Sequence, residues 1–503
     1  MKNNKYISDN FFGKMDKLGL ALSYGDVRLK TQHSDIIPAN AILKTRFSKN
    51  VTLNCPLISS PMDTVTEHRM AIAMAKHGGL GIIHRSLSPK EQSREVGKVK
   101  FHLNGLIKKP ITVNANDTIR DIDELVKSKL YDFHSFPVID NDEKLIGIIT
   151  DTDFDFCIDR EKTAKEIMTK KVVTAHEKIS IKDAFKFMQE NRKKTLPLVD
   201  KNGKLTGLYV FSDVKRIMTD SSVIYNLDKN GNLRVGAAVG TGNDVMERME
   251  ALVKKKIDVV VIDTAHGDSK KVLETLKQIK KSNPHVDVVV GNVSEAESAK
   301  RLVKAGADGI KIGQGPGSIC TTRVIAGIGC PQATAVYNCA KAIRNSGIPV
   351  CADGGIKYSG DITIALGAGA DSVMLGNLLA GTEESPGETI MTPNGPVKRY
   401  RGMGSLGAME ESQASRERYG QTKNEQQKLV PEGVEGIIPF RGKVADTIDQ
   451  LLGGLRSGIG YIGAKNIQQL KENADFYRIS GSGLNESHPH DIKITKESPN
   501  YRR

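Results

Sequence analysis

The chain has 503 residues, 39% hydrophobic and 26% charged, enough for roughly two to four cored domains and too apolar for a disordered chain. Lys and Arg outnumber Asp and Glu by 73 to 59, a net charge of +14; with no compact basic tract, this reads as lysine-rich helix faces that also favour phosphorylated ligands, not a specific nucleic-acid partner. No apolar run reaches the roughly 18 residues of a membrane span, the start MKNNKYISDNFFGKMD lacks a signal-like stretch, and six cysteines show no C-x-x-C pair, so the expectation is a cytoplasmic chain with free thiols and no membrane partner.

Residues 1–50 read as an irregular lead-in with one short helix. A buried strand at 56–60 ends in Ser59-Ser60, and Pro61-Met62-Asp63 follows it. Residues 67–77 read as a helix stopped by Gly78-Gly79, and 80–84 as a second apolar strand. After about residue 105 the chain becomes lysine-rich and repeats itself. Ser135 to Asp140 parallels Thr195 to Asp200, and Gly147 to Thr150 with Asp153 parallels Gly207 to Val210 with Asp213, at one offset of 60. The repeat, 106–166 and 167–225, resembles a tandem pair of cystathionine-β-synthase-type (CBS) domains, which often bind adenine or guanine nucleotides. That resemblance makes Thr150, Asp153 and Asp213 candidates for holding ribose. A pair that only props subunits apart is the alternative.

From residue 226 short apolar strands alternate with helices. The strands fall at 235–239, 258–262, 286–290, 309–312, 349–352 and 372–375, each closed by Gly, Asp or Asn, as parallel strands covered by helices are. With the two earlier strands they make eight. The predicted fold is a (β/α)8 TIM barrel, split into 1–105 and 226–503, with the repeat pair inserted after the second strand; a doubly wound sheet competes.

Barrel chemistry sits at the C-terminal ends of the strands. The end of the sixth is Gly313-Gln314-Gly315-Pro316-Gly317-Ser318-Ile319-Cys320-Thr321-Thr322-Arg323. Alternate glycines let its backbone approach a ligand, Cys320 supplies a thiol, and Arg323 supplies a cation expected to help lower that thiol's pKa. The seventh and eighth ends, Asp353-Gly354-Gly355 and Gly376-Asn377, suit a phosphate held by backbone N–H groups, with Asp353 for a ribose diol. The expected ligand is a nucleoside monophosphate with its base near Cys320. A long polar stretch at about 400–436, containing Arg416-Glu417-Arg418-Tyr419, reads as a mobile lid, and 444–457 as a final helix.

These residues carry a family match. SSPMDTVTE at 59–67, GGLGIIHR at 78–85, GQGPGSICTTR at 313–323, CADGGI at 351–356, YRGMGSLGAM at 400–409, RYG at 418–420, VPEGVEG at 430–436 and ESHPHD at 486–491 resemble the bacterial-type inosine-5′-monophosphate (IMP) dehydrogenases. The resemblance implies NAD-dependent oxidation of IMP to xanthosine 5′-monophosphate, the step committing purines to guanine nucleotides. Cys320 attacks C2, hydride leaves, and a covalent thioimidate is hydrolysed under the lid by Arg418 and Tyr419 with Thr322 nearby. Arg416 is set aside because Tyr follows only Arg418.

It further implies that the IMP phosphate meets Ser318, Gly355, Gly376, Asn377 and Tyr400, and the base edge Met403, Gly404 and Glu432. Ser60, Met62, Asp353, Gly354, Arg401 and Gly402 complete the substrate site. NAD is expected at Asp263, Gly313, Gln314 and Gly315. A monovalent cation, K+, is expected on carbonyls of Gly315, Gly317 and Cys320, with Glu486, Ser487 and His488 from a neighbouring subunit of a tetramer that can pair into octamers. A GMP reductase sharing the barrel is the nearest rival, disfavoured by the CBS pair and by Arg418-Tyr419; a silent nucleotide-sensing scaffold is a rival of another class.

Overall fold

A computed structural model describes residues 6–103, 106–107, 110–129, 135–219, 224–421 and 429–501. The chain divides into two compact units, one of Met1–Phe101 with Ile224–Arg503 and one of His102–Val223.

The first unit is the barrel. Its strands are β1 (Leu57–Ser59), β2 (Leu80–Ile83), β3 (Gly236–Val239), β4 (Val259–Asp263), β5 (Asp287–Val293), β6 (Gly309–Ile312), β7 (Val350–Asp353) and β8 (Ser372–Leu375). They form one closed parallel ring. Closure is explicit where Val373 of β8 pairs with Leu57 of β1 and Gly236 of β3 with Ile82 of β2, which rules out the open doubly wound sheet. Val259, Val260, Val261, Val288, Val289 and Val290 are fully buried, as strands sandwiched between a filled interior and a ring of helices must be. β5 runs three residues beyond the apolar stretch read from the sequence, through Gly291 and Asn292 to Val293.

A two-stranded ribbon, Thr45–Arg46 with Thr52–Leu53, closes the barrel floor. Phe47, Val51 and Leu53 join Ile58, Ile82, Val261 and Met374 in one apolar cluster. The Lys49 N–H donates to the Asp308 carbonyl at the start of β6, and the Asn50 N–H donates to Asp287 at the start of β5. With the floor sealed, the open end is the C-terminal rim.

The helix after β1 is His68–Lys76, one residue shorter at each end than its sequence pattern. Its first N–H is capped by its neighbour: Glu95, on the helix Pro89–Lys100, accepts the His68 N–H at 2.9 Å and the His68 ring at 2.6 Å. Burial alone would raise the Glu95 carboxyl, but the bonds from His68 and from Lys98 outweigh it and hold the group down at about 2. A carboxyl depressed in the folded state stabilises the fold above its unfolded pKa and loses that contribution as pH falls through the folded value. From roughly 4.3 unfolded to about 2 folded, the contribution is about 3 kcal/mol. Denaturation midpoints of Glu95→Gln are therefore expected to be lower at neutral pH and to converge on the wild type between pH 4 and pH 2; parallel curves would contradict this.

The lead-in contains more than one helix. Ser8–Lys17 is helical, and Val27–Leu29 pairs antiparallel with Phe476–Arg478 near the other end of the chain. Beyond β8, Thr389–Thr392, Gly395–Arg401 and Glu435–Pro439 form a three-stranded antiparallel sheet, and the final helix extends to Val444–Tyr461.

The second unit is two similar halves. In one, Val113–Asn114 pairs parallel with Phe136–Ile139, which pairs antiparallel with Leu145–Ile149. In the other, Ala175–His176, Thr195–Val199 and Leu205–Val210 repeat that arrangement. Each half has its own apolar cluster, one around Phe136 and Phe154, the other around Leu196 and Tyr209. Among the described residues, no helix of the chain is long and apolar enough to cross a membrane.

Candidate active site

Parallel strands ending at one rim deliver their C-terminal residues to a common place, and the loops after them build the site. The loop after β6 turns immediately: Gly313 and Gly315 have φ of 144° and 77°, a region costly for other residues. It then brings Cys320 back over the rim, where its Sγ lies 3.1 Å from Thr322 Oγ1 and its N–H donates to the Gly317 carbonyl at 3.1 Å.

The backbone on either side of Cys320 is zipped to the segment 432–434. Thr321 N–H donates to the Glu432 carbonyl at 2.9 Å, and Val434 N–H to the Ile319 carbonyl at 3.0 Å. The Glu432 N–H donates in turn to the Gly404 carbonyl at 2.9 Å. The predicted lid is thus docked on the rim. Its positions 422–428 lie outside the described residues; the rest includes helices Leu406–Glu411 and Gln413–Arg418.

The lid delivers two groups. Tyr419 packs its ring against Gly404, where a Cβ would lie only 2.5 Å from it. Burial pushes the Tyr419 phenol up, the Arg418 charge pulls it down, and Cys320 and Glu432 push it up again. The Arg418 guanidinium is ion-paired with Asp263 at the end of β4, and its carbonyl accepts the Ala265 N–H at 3.1 Å. Burial lowers the guanidinium from its ordinary value while the Tyr419 bond opposes this, and the Asp263 carboxylate favours the same cationic form. Arg416 points elsewhere, to the Met409 carbonyl.

Beneath these groups lies a buried charge cluster centred on Lys311, a residue the sequence reading did not include. Lys311, in the middle of β6, is fully buried. Its Nζ lies 2.9 Å from Asp263 Oδ1 and 2.6 Å from Asp353 Oδ2, and it also bonds the Asn292 side chain. Asn292 donates to Asp353 Oδ2 at 2.9 Å and to the Gly313 carbonyl at 2.6 Å. The available signal was a lone lysine inside an apolar strand, since lysine is rarely buried unless paired.

These walls enclose a cavity of about 120 Å³. Its lining brings together Ser60, Met62, Gly313, Gln314, Gly315, Gly317, Cys320, Thr322, Asp353, Gly354, Tyr400, Gly402, Met403, Arg418, Tyr419 and Glu432. Asn292, Ile319 and Gly433 line it too, as do Thr264 and Ala265, which were not singled out from the sequence. Ser318 bonds the Tyr400 hydroxyl, easing a phenol that burial pushes up to about 12. Gly376 lies against that same hydroxyl, 3.0 Å from where its Cβ would stand. Asn377 opens the short helix Asn377–Ala380, and Gly355 packs near Tyr24 and Pro316.

Three groups are placed differently from the rest. Arg401 lies 2.8 Å from Asp63 and 2.7 Å from Glu411, outside the cavity lining. Glu486 and Ser487 are exposed, and the His488 ring bonds the Tyr501 hydroxyl at 2.9 Å. Arg323 turns to the backbone. Its guanidinium donates to the Gln314 and Cys330 carbonyls at 3.0 and 2.6 Å, and its charge acts on the Cys330 thiol. Two charge-assisted bonds to carbonyls at either side of the turn hold this part of the loop together.

With this geometry in place, the comparisons bear on kinship. The IMP dehydrogenase / GMP reductase domain model matches residues 21–490. The chain belongs to that family. Among curated relatives, inosine-5′-monophosphate dehydrogenase of Aquifex aeolicus is 51% identical over 96% of this chain and 98% of its own. That of Bacillus subtilis is 47% identical over 97% and 99%. The crystal structure of GMP reductase from Trypanosoma brucei in complex with guanosine 5′-monophosphate matches at 41% identity and a TM-score of 0.83, over 94% of this chain and 98% of that one. A GMP reductase that spans so much of the chain covers most of residues 102–223 as well, so the second unit does not separate the two activities within the family.

Proposed function

We propose that this chain oxidises IMP to xanthosine 5′-monophosphate with NAD, in the synthesis of guanine nucleotides. The observation that carries the reading is a thiol and a lid-borne Arg–Tyr pair facing one cavity: Cys320 from the barrel, Arg418 and Tyr419 from above. A reductase consuming GMP needs no group to activate water against a thioimidate; a dehydrogenase does.

The residues divide the work as follows. Ser318, Tyr400 and the glycines at 354, 355 and 376, with Asn377, hold the phosphate, and Asp353 holds the ribose. Ser60, Met62, Gly402, Met403, Gly404 and Glu432 shape the space for the base. Cys320 as thiolate adds to C2, and the tetrahedral adduct lets hydride depart where an aromatic C–H does not. Asp263 with Gly313, Gln314 and Gly315 fits a dinucleotide, because a carboxylate at a strand end beside a backbone free of side chains suits a ribose diol. NAD supplies the hydride acceptor there. Arg418 takes Asp263 in the lid-docked chain, so the lid and the dinucleotide exclude one another. With the lid docked, Tyr419 and Arg418 stand beside Cys320, where they orient and deprotonate the hydrolytic water with Thr322 in reach.

Hard carbonyl oxygens of Gly315, Gly317 and Cys320 suit K+, with Glu486, Ser487 and His488 of a neighbouring copy completing the site in a tetramer or octamer. The second unit is read as the CBS pair, 106–166 and 167–225, binding regulatory purine nucleotides. In its first half Thr150 and Asp153 bond each other at 2.8 and 2.9 Å as a helix cap, and a ribose would have to share them. GMP reduction is the rival reading, with the weaker likeness: 41% identity against 51% and 47% for the two IMP dehydrogenases. Purified protein is expected to form NADH with IMP; consumption of NADPH with GMP and none of the first activity would reverse the assignment.

A further inference from the structure

The lid makes a second ionic contact one residue before Arg418. Glu417 Oε2 lies 3.3 Å from Arg85 Nη1, and Arg85 Nη2 donates to the Ala414 carbonyl at 2.5 Å. Arg85 follows β2 and is 6% exposed; both of these partners ride on the helix Gln413–Arg418. The turn after β3, Gly240-Thr241-Gly242, completes the surround. A Cβ on Gly240 would stand 3.0 Å from Arg85 Nη2, and one on Gly242 would stand 2.8 Å from Glu417 Oε1. Neither glycine is at positive φ, so space and not backbone conformation calls for glycine here. The result is a slot with a buried guanidinium on one side and bare backbone on the other, filled by a carboxylate.

We propose that this slot is a phosphate subsite for the pyrophosphate of the dinucleotide, and that Glu417 occupies it as a stand-in when the lid is docked. The inference rests on the reading of the lid and the dinucleotide as alternating occupants of Asp263. A planar guanidinium matches phosphate as well as carboxylate. Burial pushes Arg85 down to about 10, with Glu417 and then Asp244 opposing and Arg418 adding to it, so the slot is poorly tolerant of losing an anion. Consecutive lid residues Glu417 and Arg418 present an anion to Arg85 and a cation to Asp263. A dinucleotide presents the same order to the same groups, a pyrophosphate joined directly to the ribose that Asp263 takes.

The test is equilibrium titration of the full chain with NAD and with nicotinamide riboside, which lacks the pyrophosphate. For Arg85→Gln, NAD binding is expected to weaken about tenfold or more and riboside binding to hold at the wild-type level or tighten. Unchanged NAD binding, or equal weakening of both ligands, would overturn the subsite. Should Arg85→Gln not fold, Glu417→Gln decides: NAD is expected to bind several-fold tighter, and unchanged or weaker binding overturns the proposal. These are binding measurements, so a chain that reduced GMP would still report on Arg85 with NADPH, and failure of IMP turnover would stand as a separate result.

Discussion

Replacing Cys320 with alanine is expected to lower IMP turnover by about four orders of magnitude or more while leaving IMP binding within about threefold, since removal of a nucleophile spares the groups that hold substrate. The groups proposed to hold it, Ser318, Asp353, Tyr400 and Glu432, are not altered by the substitution. No other thiol is suited to step in. Cys55 and Cys351 are buried and pushed up to about 12, and Cys330 up to about 11, by burial first in each case. Rates are read from NADH appearance and affinity from direct titration with IMP. Retained turnover would refute the covalent step, whereas loss of both turnover and binding would point to a collapsed loop.

The second large effect belongs to Lys311. Lys311→Met keeps the length and removes the charge, leaving Asp263 and Asp353 facing one another inside the barrel mouth. Breaking a buried ion network from one side costs about 3–5 kcal/mol. We expect a matching fall in unfolding free energy, and KM values for both substrates that rise together, because one ammonium holds the carboxylate of each proposed subsite. Lys311→Arg is expected to recover part of both. Unchanged stability in the methionine variant would mean that the two carboxylates are held by other means.

What the sequence made legible follows from range. All eight strands were readable because a buried parallel strand is a continuous apolar run bounded by Gly, Asp or Asn, a local pattern. The loop that carries Cys320 was readable as a loop because alternate glycines suit neither a helix nor a regular strand. The pairing of Val27–Leu29 with Phe476–Arg478 was not, since its partner lies some 450 residues away. The same holds for Arg85 with Glu417 and for Arg418 with Asp263, where charges are visible in a sequence but partners are not. Arg323 is visible beside Cys320 in the sequence, but its hydrogen bonds to the carbonyls of Gln314 and Cys330 are not. Lys311 was in plain view, but only the convergence of β4, β5 and β7 on β6 reveals why a charge belongs there.

The seam between β2 and β3 has a consequence for synthesis. Ile82 and Gly236 are neighbours in the ring, yet the second unit is translated between them. At roughly 5–20 residues per second, β1 and β2 leave the ribosome about eight to thirty seconds before the strand that must pair with β2. During that interval His102–Val223, with apolar clusters of its own, is complete and free to fold first. The two earliest strands meanwhile wait with open edges, and the ring cannot close until β8 has been made to pair with β1.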